Sequence, residues 1–111
     1  MQDCVYCNIK NHTIESEILF ENDNIFVIRD ILPKAPVHLL IIPKEHIVSI
    51  AHVEEKHKDL IGEMFLVANK MGDKYKIADS GYELIFRVGH DGGQVIPHLH
   101  LHMLGGKQMS E

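Results

Sequence analysis

The chain has 111 residues, 45% hydrophobic and 24% charged, which suits a single compact globular domain over residues 1–111. Its formal net charge of -5, with no basic run, argues against nucleic acid as the main partner. No apolar run approaches the roughly 18–20 residues of a membrane span. The start, MQDCVYCNIK, lacks the basic and apolar regions of a secretory signal. We therefore expect a cytoplasmic protein with no membrane partner.

The first half of the chain predicts a short helical turn and three strands. Residues 4–12 form the turn, and strands over 18–21 and 25–29 flank a tight Asn-Asp-Asn turn, as in a hairpin. Two prolines make 31–36 a loop. The third strand, 38–42, is apolar enough to be buried on both faces.

The second half predicts one main helix and two strands. Apolar residues recur at three- and four-residue intervals between about Glu54 and Lys76, which is typical of an amphipathic helix. The apolar face of this helix is wide enough to pack against both the core and a second subunit. His52 and His57, at the start of this helix, are expected to be solvated. Strands over 82–88 and 97–104 flank a glycine-rich loop at 89–93, so the fold class is α+β with a mostly antiparallel five-stranded sheet.

The last predicted strand contains the run PHLHLHMLGG, in which three histidines alternate with apolar residues. Side chains two residues apart share one face of a strand, so His98, His100 and His102 line one side. Leu99 and the next alternate residues then point into the core. Neighbouring histidines lie about 6.5–7 Å apart along a strand, so one metal ion is hardly shared by all three. A row of imidazoles with separate roles fits better.

Histidine suits nucleophilic attack on phosphorus, because neutral imidazole is nucleophilic near neutral pH and the resulting phosphohistidine is labile. Neighbouring imidazoles can orient the nucleophile, bind an anion or move a proton. The glycines of the 89–93 loop allow close backbone approach, and its N–H groups form a potential anion-binding nest. The alternative is a set of three surface histidines on an edge strand, or a chance metal patch.

These residues resemble the His-φ-His-φ-His-φ-φ signature of the histidine triad (HIT) superfamily of nucleotide hydrolases and transferases. The stretches DILPKAPVHLLIIPKEHI and GHDGGQVIPHLHLHMLGGKQM are similar to its Hint branch, and the hairpin EILFENDNIFVIRD fits as well. The resemblance covers nearly the whole chain and implies a HIT-like domain. It also implies a homodimer, with the sheet extended across the two-fold axis.

The resemblance assigns a role to several positions. His100 would attack the α-phosphorus of a purine nucleoside phosphoramidate or related conjugate, forming a nucleotidyl-histidine that water then hydrolyses. The other catalytic histidines would be His38, His98 and His102. Asp30 would accept hydrogen bonds from the ribose hydroxyls. The remaining substrate-binding positions are Gly93, Gln94 and Arg87 near the phosphate, and Tyr6, Ile9, Ile14, Ile28 and Ile31 around the base.

Two positions depart from the Hint pattern. Val95 stands where many members carry a serine that assists the leaving group. Arg87 stands where many carry asparagine, and it adds positive charge near the phosphate or turns away. These changes concern the rate and the leaving group rather than the nucleophile.

The two cysteines, Cys4 and Cys7, form a CxxC pair, which in a reducing compartment indicates metal binding or redox chemistry more than a structural disulfide. Two ligands do not complete a tetrahedral zinc site. Some bacterial HIT members complete it with residues that correspond to His46 and His98, giving a closed structural zinc site. His12 is a rival fourth ligand, and two reduced thiols without metal are the alternative.

Three functions therefore remain open. The first is the HIT-type nucleoside phosphoramidase or nucleotide hydrolase, with a dinucleoside polyphosphate hydrolase as a variant. The second is a nucleotide-binding or scaffold protein with little catalysis, as the missing hydroxyl at Val95 suggests. The third is a zinc-dependent binding module whose histidines serve the metal.

Overall fold

The computed structural model describes residues 4–110 and contains a five-stranded sheet between two helices of unequal length. The elements follow as α1 (Val5–Lys10), β1 (Phe20–Glu21), β2 (Ile25–Arg29), β3 (Val37–Pro43), α2 (Lys58–Lys74), β4 (Tyr82–Phe86) and β5 (Leu101–Gly105). The strand order is β1-β2-β3-β5-β4, and every neighbouring pair is antiparallel. This confirms the predicted α+β class with one main helix.

The central strand β3 separates two apolar layers. Leu39 and Ile41 pack in the cluster that contains Met64 and Val67 of α2. On the opposite face, the alternate residues of β3, Leu40 and Ile42, pack with residues of α1. The third strand is therefore buried on both faces, as its continuous apolar run predicts.

The main helix begins later than predicted. Two 3-10 turns, Ile50–His52 and Glu55–His57, precede α2, and a capping box joins Glu54 to His57. The ring of His57 accepts a 2.9 Å bond from the Glu54 amide and lies 3.0 Å from Glu45 Oε2. His57 is buried, so the expectation of a solvated side chain is wrong there. His52 is exposed, as predicted.

The outer side of α2 carries apolar side chains that residues 4–110 leave partly exposed. Phe65 is 38% exposed and Leu66 is 63% exposed. The Phe65 ring meets that of Phe86 edge to face, with centroids 5.9 Å apart, so this apolar surface continues onto the edge strand β4. Within residues 4–110, no helix combines the length and apolar character that crossing a membrane requires.

Candidate active site

The three alternating histidines reach the sheet along an extended segment that becomes β5 only at Leu101. The predicted strand over 97–104 therefore starts too early, but the alternation holds throughout. Leu99, Leu101 and Met103 lie in the core beside α2. The imidazoles of His98, His100 and His102 lie on the opposite face, where α1 packs, because successive side chains alternate across an extended chain.

The His100 ring is fixed in one tautomer. Its Nδ1 lies 2.7 Å from the His98 carbonyl oxygen, which can only accept, so Nδ1 carries the proton. The other nitrogen, Nε2, then holds a free lone pair. Burial lowers the pKa of His100, which favours this neutral form. Tyr6 meets the ring edge-on at 5.2 Å between centroids and limits its rotation.

A second set of groups, Asp30, His38 and His102, forms a hydrogen-bonded chain beside His100. The Lys34 amide donates to Nδ1 of His38 at 3.1 Å, so the His38 proton lies on Nε2. That Nε2 is 3.0 Å from Nδ1 of His102 and 3.3 Å from Oδ2 of Asp30. His102 Nδ1 therefore accepts, and its own proton lies on Nε2.

The arrangement gives His102 a neutral ring with an N–H donor at Nε2. Burial, followed by the neighbouring positive charges, lowers the pKa of His102 to about 4. Burial also lowers the pKa of His38, against the opposing effect of Asp30. Near neutral pH, the network therefore offers one nucleophilic nitrogen on His100 and one donor on His102. That combination suits transfer of a phosphoryl-type group.

His98 takes part in a different cluster, although it belongs to the same row. Its Nε2 donates to the Pro43 carbonyl at 2.8 Å, which leaves Nδ1 with a lone pair. Nδ1 lies 3.2 Å from Cys4 Sγ and 3.6 Å from Cys7 Sγ, and His46 Nδ1 lies 3.3 Å from Cys7 Sγ. All four ligand atoms lie within 4.8 Å of one another. The predicted four ligands are thus brought together, and His12 does not belong to the group.

The glycine-rich loop has the backbone freedom that its sequence predicts. Gly93 has a φ of 81°, and a Cβ added to Gly92 would lie 2.2 Å from the Val88 carbonyl oxygen. However, the N–H groups of Gly93 and Gln94 donate to loop carbonyls at 3.0 Å each. Phosphate contact through these two amides therefore stays a prediction, and it requires the loop to shift. Among residues 4–110, the backbone hydrogen bonds of the loop do not include the next amide, that of Val95.

The side chain of Gln94 holds the loop in place rather than facing an open site. Its Oε1 accepts from the Gly89 amide at 3.0 Å, and its Nε2 donates to the carbonyls of Val48 and Ile96 at 2.7 and 3.1 Å. Gln94 therefore joins the loop to the segment after β3. Sequence reasoning missed this role because the partners are backbone groups, and one of them, the Val48 carbonyl, is 46 residues away along the chain.

The five residues predicted to line a base pocket fall into two groups. Tyr6, Ile9 and Ile28 are buried in one apolar cluster on the histidine side of the sheet. Ile14 and Ile31 lie outside it and are 42% and 91% exposed. The first group provides an apolar wall near His100, and the second is free to contact a bound molecule.

Comparison with known proteins agrees with this geometry. A family model described as the scavenger mRNA decapping enzyme C-terminal binding region matches residues 3–111. The chain is 36% identical over 108 residues to the purine nucleoside phosphoramidase of Escherichia coli K12, covering 97% of this chain and 91% of that relative.

Two solved structures also match over nearly their whole length. A HIT family hydrolase from Legionella pneumophila Philadelphia 1 has a TM-score of 0.95 and 42% identity, over 97% of this chain and 96% of that one. A HIT family hydrolase from Clostridium thermocellum has a TM-score of 0.96 and 40% identity, over 100% and 96% of the two chains.

Proposed function

The chain belongs to the histidine triad (HIT) superfamily and is an enzyme of its nucleotide hydrolase type, and we propose that it cleaves purine nucleoside phosphoramidates or related nucleotidyl conjugates through a covalent intermediate on His100. The resemblance drawn from the motifs is thereby confirmed at the level of the superfamily. The observation that carries the proposal is the His100 ring, whose Nδ1 bonds the His98 carbonyl and leaves Nε2 free.

In the first proposed step, His100 Nε2 attacks the α-phosphorus and the bond from phosphorus to the amine breaks. The amine leaves with the electron pair and takes up a proton from water. His102 Nε2–H donates to a non-bridging phosphate oxygen, because its Nδ1 is already engaged by His38. His38, held by the Lys34 amide and by Asp30, fixes the direction of that donor.

In the second step, water attacks the phosphorus of the nucleotidyl-histidine. The bond to Nε2 breaks, the nucleoside monophosphate leaves, and His100 returns to its neutral form. Burial of His100 favours that neutral form as the resting state.

The nucleoside would lie between the predicted base-pocket residues and Asp30. Oδ1 of Asp30 accepts from the Leu32 amide at 2.9 Å, and Oδ2 faces His38. A carboxylate has about four lone-pair positions, so both oxygens can still accept from ribose hydroxyls. The buried rings and branches of Tyr6 and Ile28 supply an apolar surface for the base.

The intermediate itself provides the test. After brief mixing with adenosine 5′-phosphoramidate and an alkaline quench, mass spectrometry should find an adenylyl group on the peptide that contains His100. Turnover with no adduct, or with an adduct on another residue, would contradict the mechanism. Calorimetric binding of AMP with negligible hydrolysis would instead favour the nucleotide-binding or scaffold function.

Zinc is the metal that fits the four-residue cluster by its donors. Two thiols and two imidazole nitrogens form a common tetrahedral zinc set, and three sulfur–nitrogen pairs among them lie 3.2–3.6 Å apart. With Zn–S bonds of about 2.3 Å and Zn–N bonds of about 2.0 Å, neighbouring ligand atoms in a tetrahedron lie about 3.5 Å apart. The Pro43 carbonyl orients His98 as an outer partner does in such sites.

Bound zinc would supply structural cross-links and leave no open position for chemistry. Cys4, Cys7, His46 and His98 would hold it, so the N-terminal helix would be tied to the segments after β3 and before β5. Both cysteines are free thiols, which a reducing compartment such as the cytoplasm preserves.

A homodimer would cover the apolar surface formed by α2 and β4. Leu66 and Phe65 are exposed on the helix, and β4 is an edge strand with an unpaired side. Light scattering should therefore give twice the chain mass. Leu66→Glu should lower that mass toward a monomer, whereas the same change at the loop residue Leu32, 73% exposed, should not. A monomeric parent chain would refute the dimer.

A further inference from the structure

We propose that Arg87 recognises an oxyanion in the leaving group, so that the enzyme favours nucleotides whose α-phosphate is joined to a second phosphate. This rests on the proposed function, because it assigns the leaving group of the same site. Among the nucleotidyl conjugates proposed above as substrates, the preferred ones are then phosphoanhydride-linked purine nucleotides.

The first support is the position of Arg87 relative to the histidines. It follows β4 directly, and within the paired register Ile85 lies opposite His102 of β5. Paired residues share a face of the sheet, and side chains two apart on an extended chain share it as well. This pattern places Arg87 on the face that carries His102.

The second support is its contact with the glycine-rich loop. A Cβ added to Gly93 would lie 3.7 Å from Cδ and 3.8 Å from Nη1 of Arg87. The guanidinium therefore lies against the loop rather than extending into solvent, and the residue is half-buried. Among the ion pairs and hydrogen bonds of residues 4–110, none involves its side chain. An unpaired cation at this position is open to an anionic ligand.

The third support is electrostatic. The charge of Arg87 is one of the causes that lower the pKa values of His38 and His102, after burial, which is the largest cause for each. The guanidinium is thus close enough to act on both of these histidines. A group that leaves from the α-phosphorus beside His100 would also be exposed to the positive charge of Arg87.

The chemistry of guanidinium favours one kind of leaving group. Arginine keeps its proton throughout the accessible pH range, so it cannot protonate a departing amine. Val95, 88% exposed, has no hydroxyl to do so either. A phosphate oxyanion needs no proton to leave, and guanidinium binds it with two parallel hydrogen bonds.

The corresponding reaction is balanced without any further reactant. His100 Nε2 forms a bond to the α-phosphorus, and the bridging P–O bond breaks. Its electron pair passes to the bridging oxygen, which departs with the second phosphate as an oxyanion. Water then cleaves the nucleotidyl-histidine to give the monophosphate and neutral His100.

Binding without chemistry gives the decisive test. In a His100→Asn background, calorimetry should find ADP bound more tightly than AMP. Adding Arg87→Gln should reduce that ADP-to-AMP preference by about tenfold or more, as expected for a lost hydrogen-bonded charge pair. The matched control is Lys107→Gln, which removes an exposed positive charge in the turn after β5 that takes no part in the site. The control should leave the preference unchanged.

Turnover by the chain with His100 intact provides the second arm. Arg87→Gln should lower kcat/KM for diadenosine triphosphate relative to adenosine 5′-phosphoramidate by a similar factor. An unchanged preference in either arm, an equal effect of Lys107→Gln, or no binding of ADP would overturn the role of Arg87. Failure of all turnover with the binding preference intact would refute the proposed hydrolase mechanism and leave anion recognition by Arg87 standing.

Discussion

Replacing His100 with asparagine should reduce kcat for adenosine 5′-phosphoramidate by about 10⁴-fold or more, because it removes the imidazole lone pair that we propose attacks the phosphorus. Asparagine is the better replacement than alanine. Its side-chain amide can still donate to the His98 carbonyl, which otherwise loses its 2.7 Å partner in a buried place. Steady-state kinetics by release of ammonia would measure the loss.

The matched control for this change is His12→Asn. His12 is exposed and has a φ of 63°, a left-handed conformation that asparagine tolerates well. We expect that variant to keep kcat within about twofold, as for a surface change away from the site. Activity of His100→Asn within tenfold of the parent would rule out the nucleophile assignment, provided that thermal unfolding shows both variants folded.

Much of this site follows from local pattern in the sequence. Alternation of histidine with leucine sets which side chains enter the core and which line the other face, even where the regular strand has not yet begun. The continuous apolar run of β3 likewise predicts burial on both faces. Such patterns survive because they depend only on the geometry of an extended chain.

The remainder depends on partners that are distant in sequence. The tautomers of His98 and His38 are set by the Pro43 carbonyl and the Lys34 amide, and backbone groups leave no signature in residue type. Burial of His57 depends on Glu45, which reaches it across the two 3-10 turns. Neither contact has a periodicity that a sequence pattern could reveal.

The four metal-ligand positions lie between these two cases. The CxxC spacing is local, and a helical turn brings its sulfurs to one side. His46 and His98 are brought to these sulfurs only by the fold. The spacing alone therefore left the other two ligands open, with His12 as a candidate, and the resemblance implied His46 and His98. In the structure, His12 stands outside the group.

Removing the metal should destabilise the chain strongly while affecting chemistry much less. Burial, and then the neighbouring Cys4, raises the pKa of the Cys7 thiol. This favours the thiol form, which makes only weak hydrogen bonds where a zinc ion would form strong ligand bonds. Zinc bound by both sulfurs and both imidazoles would join α1 to the sheet. We expect its loss to cost at least about 3 kcal/mol, or about 12–24 °C in Tm for a chain of this size.

The variant Cys4→Ser tests the loss of the metal without the loss of the N-cap of α1. Cys4 is the N-cap of α1, and its sulfur accepts from the Cys7 amide at 3.4 Å. Serine is a favoured N-cap residue, so the variant keeps the cap and loses one soft ligand. Its Tm should fall to that of the chelated parent, and added zinc should restore only the parent. His12→Asn should retain one zinc per chain by elemental analysis.

The expected separation between stability and catalysis distinguishes a structural ion from a reactive one. His98 orients His100 through its backbone carbonyl, which Pro43 helps to hold when the metal is absent. At a temperature where Cys4→Ser remains folded, kcat should therefore fall by less than about tenfold. Complete loss of turnover in that folded variant would mean that the chemistry depends on the ion. That result would favour the zinc-dependent module over the enzyme mechanism proposed above. An unchanged Tm after chelation would show instead that these four side chains hold no metal.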